Sequence, residues 1–218
     1  MTLNVLDTPY PVEPEVHVAA FDFDGTLTRA DSLGPYLRQA LGWPRWLGVL
    51  VRCSPWLLAY VLRLMSNHRA KARLLHASLA GVPCEQVDRW TECFVHQQLP
   101  TLWSAALLQR WVWHQQQGHR CLIVSASPGI YMHAVGRALG AQAVLCTELQ
   151  THDGRYTGAL ATPNCHGEEK VRRLQAWLAA QGWTADRITL SAYGDSAGDR
   201  PLLALADHAW WRGRPSTG

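Results

Sequence analysis

The chain reads as an α/β protein: an open, mostly parallel sheet with helices on both faces, carrying an inserted all-helical unit. Three observations predict this. Apolar runs at residues 16–23, 121–126 and 188–193 each end in acidic or small residues. Helical patterns alternate with these runs, as in parallel sheets built from strand–helix–strand units. Between the first two runs, residues 32–100 are helical almost throughout.

Taken in order, residues 1–15 contain Pro11, Pro14 and scattered acids. They lack the basic-then-apolar pattern of a leader and read as a loose arm. Residues 16–23 are nearly continuously apolar, which suits a strand buried on both faces. The helical stretch that follows breaks at Gly42-Trp43-Pro44, Pro55, Ser66-Asn67 and Gly81-Val82-Pro83. It is too long for a crossover and predicts a cap over the carboxyl edge of the sheet.

Inside that stretch, residues 46–65 approach membrane-spanning length but are interrupted by Arg52, Pro55 and Arg63. A central arginine costs roughly 2.5–3.5 kcal/mol on insertion. The expectation is two helices packed on each other and broken at Pro55; peripheral membrane contact is left open and not favoured. Residues 101–117, 129–139, 167–180 and 201–206 read as helices. Asp153-Gly154 between residues 148–152 and 155–160 predicts a two-residue hairpin. The domain division expected is an arm (1–15), a core (16–31 and 101–218) and a helical cap (32–100).

Composition excludes several classes. An apolar share of 48% with 17% charged residues belongs to a folded chain. The net charge of +3 is dispersed, so no nucleic-acid partner is expected. Six cysteines form no CxxC pair, and reduced thiols in the cytoplasm are the simpler reading. The histidines show no HExxH arrangement, so no histidine-ligated metal is expected.

The chemistry gathers where strands end, because open α/β sheets bind ligands at their carboxyl edge. The first strand delivers Asp22-Phe23-Asp24-Gly25-Thr26, placing two carboxylates close together. Repulsion between them calls for a cation or an asymmetric environment. A calcium loop of the EF-hand type is excluded, because it needs glycine at its sixth position and glutamate at its twelfth. Here Gly25 is fourth and Leu33 twelfth. Ser125, Asp195 and Asp199 end later strands, and Lys170 opens a helix. Oxygen-only acidic ligands suit Mg²⁺, while Ser125, Lys170 and backbone amides suit phosphoryl oxygens.

FDFDGTLT, IVSAS, EEK and YGDSAGD, in this order and spacing, resemble the four motifs of the haloacid dehalogenase-like hydrolase superfamily. A helical cap just after the first motif is similar to subfamily IB, whose members include phosphoserine phosphatases. The resemblance runs from about Val16 to Trp211 and implies a Rossmann-like core. It implies Asp22 as a nucleophile that becomes phosphorylated and Asp24 as general acid, then base. It implies Mg²⁺ held by Asp22, Asp24 through its backbone carbonyl, and Asp195, with Asp199 close by or reached through water. Thr26, Ser125, Ala126 and Lys170 would hold the phosphate. Two departures weaken a phosphoserine assignment: Ser196 and Gly198 stand where that pattern has glycine and asparagine, and Ala126-Ser127-Pro128 replaces a glycine pair.

Asp31 has two readings, a ligand for a substrate amino group or the N-cap of the first cap helix. Among His68, Arg69, Lys71 and Arg73, one is expected to reach an anionic part of the substrate, if these are not simply a solvated face. Trp43, Trp46 and Trp56 could line a pocket for the leaving group. The function expected is Mg²⁺-dependent hydrolysis of a small phosphomonoester. The alternatives are a membrane-associated lipid-phosphate phosphatase and a non-catalytic binding protein that keeps the fold. Neither the substrate, nor the oligomeric state, nor transfer to water over another acceptor is fixed by the sequence.

Overall fold

The computed structural model of the protein describes residues 16–62, 64–184 and 187–216; the expected arm at residues 1–15 lies outside them. The strands are β1 (Val16–Phe21), β2 (Arg120–Pro128), β3 (Ala143–Thr147), β4 (Leu149–His152), β5 (Arg155–Leu160), β6 (Ile188–Gly194), β7 (His208–Trp211) and β8 (Arg214–Ser216). Six of them form one sheet in the order β3-β2-β1-β6-β7-β8. Every pairing in it is parallel except β7 with β8. β4 and β5 make a separate antiparallel hairpin. Its two turn residues, Asp153 and Gly154, have φ of 47° and 71°, as the Asp-Gly pair predicts for a turn whose twist matches the flanking strands.

The helices are α1 (Leu33–Val61), α2 (Asn67–Leu79), α3 (Cys84–Cys93), α4 (Leu99–Leu102), α5 (Ala105–Gln116), α6 (Gly129–Leu139), α7 (Glu168–Ala180) and α8 (Arg200–Leu205). Alternate strand residues supply two cores because side chains of a strand point to opposite faces. Ala19, Phe21, Ile123 and Tyr193 pack with Trp111 of α5 and Met132 of α6. Val18, Ala20, Leu122 and Ala192 pack with Leu174 of α7 and Leu202 of α8. Each fully buried aliphatic or aromatic side chain contributes ~1.5–3 kcal/mol. The central strands are therefore held from both sides, as their continuous apolar runs require.

α1 to α4 lie between β1 and β2 and are tied down through α6. The Tyr131 ring sits 4.8 Å from Tyr36 and 5.4 Å from Phe94. Thr91 Oγ1 donates to the Ile130 carbonyl at 2.9 Å. Where the chain leaves and re-enters the core, its two crossings run side by side. Arg29 N donates to Leu102 O at 2.8 Å, and Ser104 N to Leu27 O at 2.9 Å.

Three expectations are corrected. The helix does not break at Pro55; the change of direction within α1 is at Gly42, with φ 72° and ψ 159°. Pro55 cannot donate to the carbonyl four residues back, Val51. The Ser54 hydroxyl donates to that carbonyl instead, at 2.8 Å, so the helix passes through the proline. Residues 46–65 consequently form no helix pair, and α1 packs on α2. The helix expected over residues 101–117 is two, α4 and α5, because Trp103 bridges to Thr28 at the crossing. Finally, β7 and β8 are strands where none is expected; they have only four and three residues.

Candidate active site

β1, β2 and β6 run parallel, so their carboxyl ends open on one edge, and the expected acids meet there. Asp22 N continues the β1–β6 ladder by donating to Tyr193 O at 2.9 Å, which fixes the aspartate backbone as it leaves the sheet. Asp22, Asp24, Asp31, Ser125, Ala126 and Lys170 line one cavity of about 500 Å³. One carboxylate oxygen each from Asp22, Asp195 and Asp199 lies within 4.8 Å of the others. Thr26 does not line that cavity; its hydroxyl points to Asp195 Oδ1 at 3.5 Å.

Lys170, buried on the first turn of α7, joins two of the acids. Its Nζ donates to Asp22 Oδ1 at 2.6 Å and to Asp199 Oδ1 at 2.5 Å. Asp199 Oδ2 is filled from its own turn, by Ser196 N at 2.9 Å, Ser196 Oγ at 2.7 Å and Asp195 N at 3.2 Å. Asp199 thus spends both oxygens on positioning Lys170 and the Asp195 loop. Ser196, which departs from the phosphoserine pattern, is one of its donors. The other departure, Gly198, makes room: a Cβ there would lie 2.3 Å from His166 Nε2, and the His166 ring lines the cavity.

Gly25 has φ 80°, and a Cβ on it would fall 2.3 Å from Asp195 Oδ2. Glycine is needed there twice, for the backbone turn and for the space that the Asp195 carboxylate takes up.

Burial pushes the Asp22 carboxyl up to about 7, against the pull of Lys170. Burial likewise raises Asp24 to about 6, helped by the Asp31 charge. Burial works against a charged Lys170, yet Asp22 and Asp199 hold its ammonium above the usual lysine range. Asp199 goes the other way: burial would raise it, but Lys170 holds it below the usual carboxylate range. Asp22, Asp195 and Asp199 share the single Lys170 ammonium, so the cluster keeps an excess of negative charge when ionised. Hard oxygen donors with that excess fit a divalent cation of the magnesium type.

Asp24 is gripped by two donors that the sequence reading missed. Ser32 N donates to its Oδ1 at 2.7 Å, and Ser127 Oγ to its Oδ2. The signal for Ser127 was present, since it lies two residues beyond Ser125 in an extended strand and shares its side. Asp31 makes the capping bonds of one of its readings. Its Oδ1 accepts from Leu33 N at 3.0 Å and Gly34 N at 3.2 Å, and it also borders the cavity. Of the four basic residues considered on α2, Lys71 enters the cavity, where its ammonium donates to the Ala126 carbonyl. The chain has two lysines against eighteen arginines, and both lysines reach this cavity. The tryptophan expectation is not met: the apolar lining includes Leu33, Leu57, Tyr60 and Leu74 and no tryptophan, Trp43 is exposed, Trp46 is buried in the core, and Trp56 stacks with Arg73.

A second group of metal-type ligands, His133, Cys146 and Glu148, lies away from this cavity. There His133 pairs with Glu148 at 2.9 Å, and the Cys146 thiol donates to the same carboxylate at 3.2 Å.

Comparison with known proteins gives four results. A family model described as haloacid dehalogenase-like hydrolase matches residues 19–204. Protein CicA of Caulobacter vibrioides is 34% identical over 203 residues, which is 91% of this chain and 88% of that one. Phosphoserine phosphatase SerB1 of Mycobacterium tuberculosis is 30% identical over 96 residues, 44% of this chain and 30% of that one. Among solved structures, a Bordetella pertussis Tohama I protein of unknown function superposes with a TM-score of 0.78 at 25% identity, covering 89% of each chain.

Proposed function

The chain belongs to the haloacid dehalogenase-like hydrolase family, and from that premise we propose that it is a Mg²⁺-dependent phosphatase working through a phosphorylated Asp22. The observation that carries this reading is the Asp22–Lys170–Asp199 bridge, with Asp195 beside it and Asp24 facing the same cavity. Three separate segments supply these groups, and structural packing alone gives no reason to gather so much buried charge.

In the proposed reaction, Lys170 holds Oδ1 of Asp22 and leaves Oδ2 as the attacking oxygen. The new Asp22–phosphorus bond forms as the bond from phosphorus to the leaving oxygen breaks. Asp24, raised to about 6, is suited to give that oxygen a proton near neutrality. It then takes a proton from the water that attacks phosphorus, releasing inorganic phosphate and restoring Asp22. Ser32 N and Ser127 Oγ keep the Asp24 carboxyl aimed during both transfers. Ser125, the Ala126 backbone and Lys170 bind phosphoryl oxygens; Lys71 adds a second cation at the cavity wall. Asp22, Asp195 and the Asp24 carbonyl, with Asp199 behind them, would hold Mg²⁺, which would supply charge neutralisation at phosphorus. Thr26 orients Asp195.

The test is release of phosphate from p-nitrophenyl phosphate, followed by a screen of phosphorylated metabolites, each with and without Mg²⁺. Metal-dependent hydrolysis lost in Asp22→Asn is expected. Hydrolysis that survives in Asp22→Asn removes the nucleophile assignment, and no hydrolysis of any phosphomonoester favours a binding protein.

A further inference from the structure

We propose that the outer face of α1 docks on an anionic bilayer surface and that the substrate is a lipid bearing a terminal phosphomonoester. The substrate half rests on the phosphatase reading above; the docking half does not.

Trp43, Val51, Leu58 and Val61 are 64%, 66%, 59% and 73% exposed. With Leu47 they follow one another at intervals of four, four, seven and three residues, so they share one side of the helix. Buried Trp46 and Cys53 mark a different side. Exposed apolar residues are ordinary when scattered, but a continuous stripe of about 30 Å marks an interaction surface.

Charge selects the partner. Residues 32–84 contain seven lysines and arginines and no acid, in a chain whose net charge is only +3. The apolar stripe is therefore set in the most cationic part of the molecule. A second copy docking through the same face would bring two such surfaces together and be repelled. An anionic lipid surface offers both things the face lacks, opposite charge and an apolar layer beneath it. The tryptophan at the start of the stripe suits the headgroup region, where one part of the ring is wet and the rest apolar. No helix among the described residues is long and apolar enough to cross a membrane, so α1 lies on the surface.

The same helix reaches the catalytic cavity. Leu57 and Tyr60 line it, with Leu74 from α2, opposite in character to Asp22, Ser125 and Lys170. A soluble amino acid or sugar phosphate gains little from that wall. A lipid would present its phosphate to the polar groups while its acyl part passes α1 into the bilayer.

Flotation with phosphatidylcholine vesicles, with and without phosphatidylglycerol, tests the docking. The wild type is expected to float with the anionic vesicles and to be released by high salt. Val51→Asp combined with Leu58→Asp changes two exposed residues that do not line the cavity. It is expected to weaken vesicle binding about tenfold or more while p-nitrophenyl phosphate hydrolysis in solution stays at the wild-type rate. Hydrolysis of phosphatidic acid in the same vesicles should fall in parallel with binding. A wild type that stays off the anionic vesicles, or a double variant that floats as well as the wild type, overturns the docking face. So does a dimer that the double variant dissociates without any flotation. Flotation with no preference for phosphatidic acid over soluble phosphomonoesters overturns the lipid substrate. Absence of hydrolysis of p-nitrophenyl phosphate and of phosphatidic acid alike removes the underlying phosphatase reading, and flotation still decides the docking.

Discussion

Replacing Gly25 by alanine perturbs the site through space and backbone alone. At φ 80° an L-residue costs about 1–2 kcal/mol. The new methyl group would stand 2.3 Å from Asp195 Oδ2, 2.6 Å from its Cγ and 2.8 Å from Oδ1. Non-bonded heavy atoms settle about 3.5 Å apart, so the carboxylate must withdraw by roughly 1 Å. A shift of that size in a group that positions the reaction costs about 10²-fold in rate. The assay is p-nitrophenyl phosphate hydrolysis across a Mg²⁺ titration, with urea unfolding in parallel. Gly25→Ala should lower kcat about 100-fold, raise the Mg²⁺ concentration needed, and reduce unfolding free energy by only about 1–2 kcal/mol. Wild-type rate and metal dependence in this variant would show that Asp195 need not occupy its present place.

Three other outcomes follow from the geometry. Ser127→Ala removes a donor to the buried Asp24 carboxylate, and a hydrogen bond to a charged group is worth about 1.5–3 kcal/mol. Since Ser127 lowers the Asp24 pKa, the alkaline limb of the pH–rate profile, set by Asp24 as general acid, should move upward and the rate fall; an unmoved limb would separate Asp24 from the rate-limiting proton transfer. Ser54→Ala should cost about 0.5 kcal/mol in urea unfolding, and nothing once Pro55→Ala restores the backbone donor for Val51; equal costs in both backgrounds would contradict that account of α1. Asp22 is raised to about 7 in the folded state, above the unfolded aspartate value of about 3.9. Between those values the native state binds more protons than the unfolded one, so stability contributed by protonated Asp22 is complete below about pH 4 and lost as pH rises toward 7. Without divalent metal, wild type should therefore lose stability relative to Asp22→Asn as pH rises through that window, and parallel curves would argue against the shift.

Much of this site was legible because its chemistry sits next to strands whose apolar runs are unmistakable. Asp22 and Asp24 follow β1, Ser125 lies within β2, and Asp195 and Asp199 follow β6. Parallel neighbours open their carboxyl ends on one edge, so the acids that follow β1 and β6 converge with the serine of β2. What the sequence hid depended on partners far along the chain. The spacing of Ser127 from Ser125 puts it on the cavity side, but that it grips Asp24 follows only once β2 pairs beside β1. Lys71 stood among three other basic residues on α2, and only the packing of α2 over the sheet decides which one enters the cavity. Pro55 reads as a helix break in the sequence, because the Ser54 hydroxyl that serves the orphaned Val51 carbonyl has no sequence signal of its own. β7 and β8 carry too few residues for alternation to show; β7 becomes a strand by pairing with β6, and β8 by pairing with β7.

The central claim is that Asp22 itself carries the phosphoryl group. The direct measurement is rapid acid quenching of the enzyme during turnover, followed by mapping of the labelled peptide and its lability to hydroxylamine. Phosphate on the peptide containing Asp22 is predicted, absent in Asp22→Asn and accumulating in Asp24→Asn, where the second proton transfer is impaired. Label on any other residue, or steady hydrolysis with Asp22 never labelled, would contradict the account.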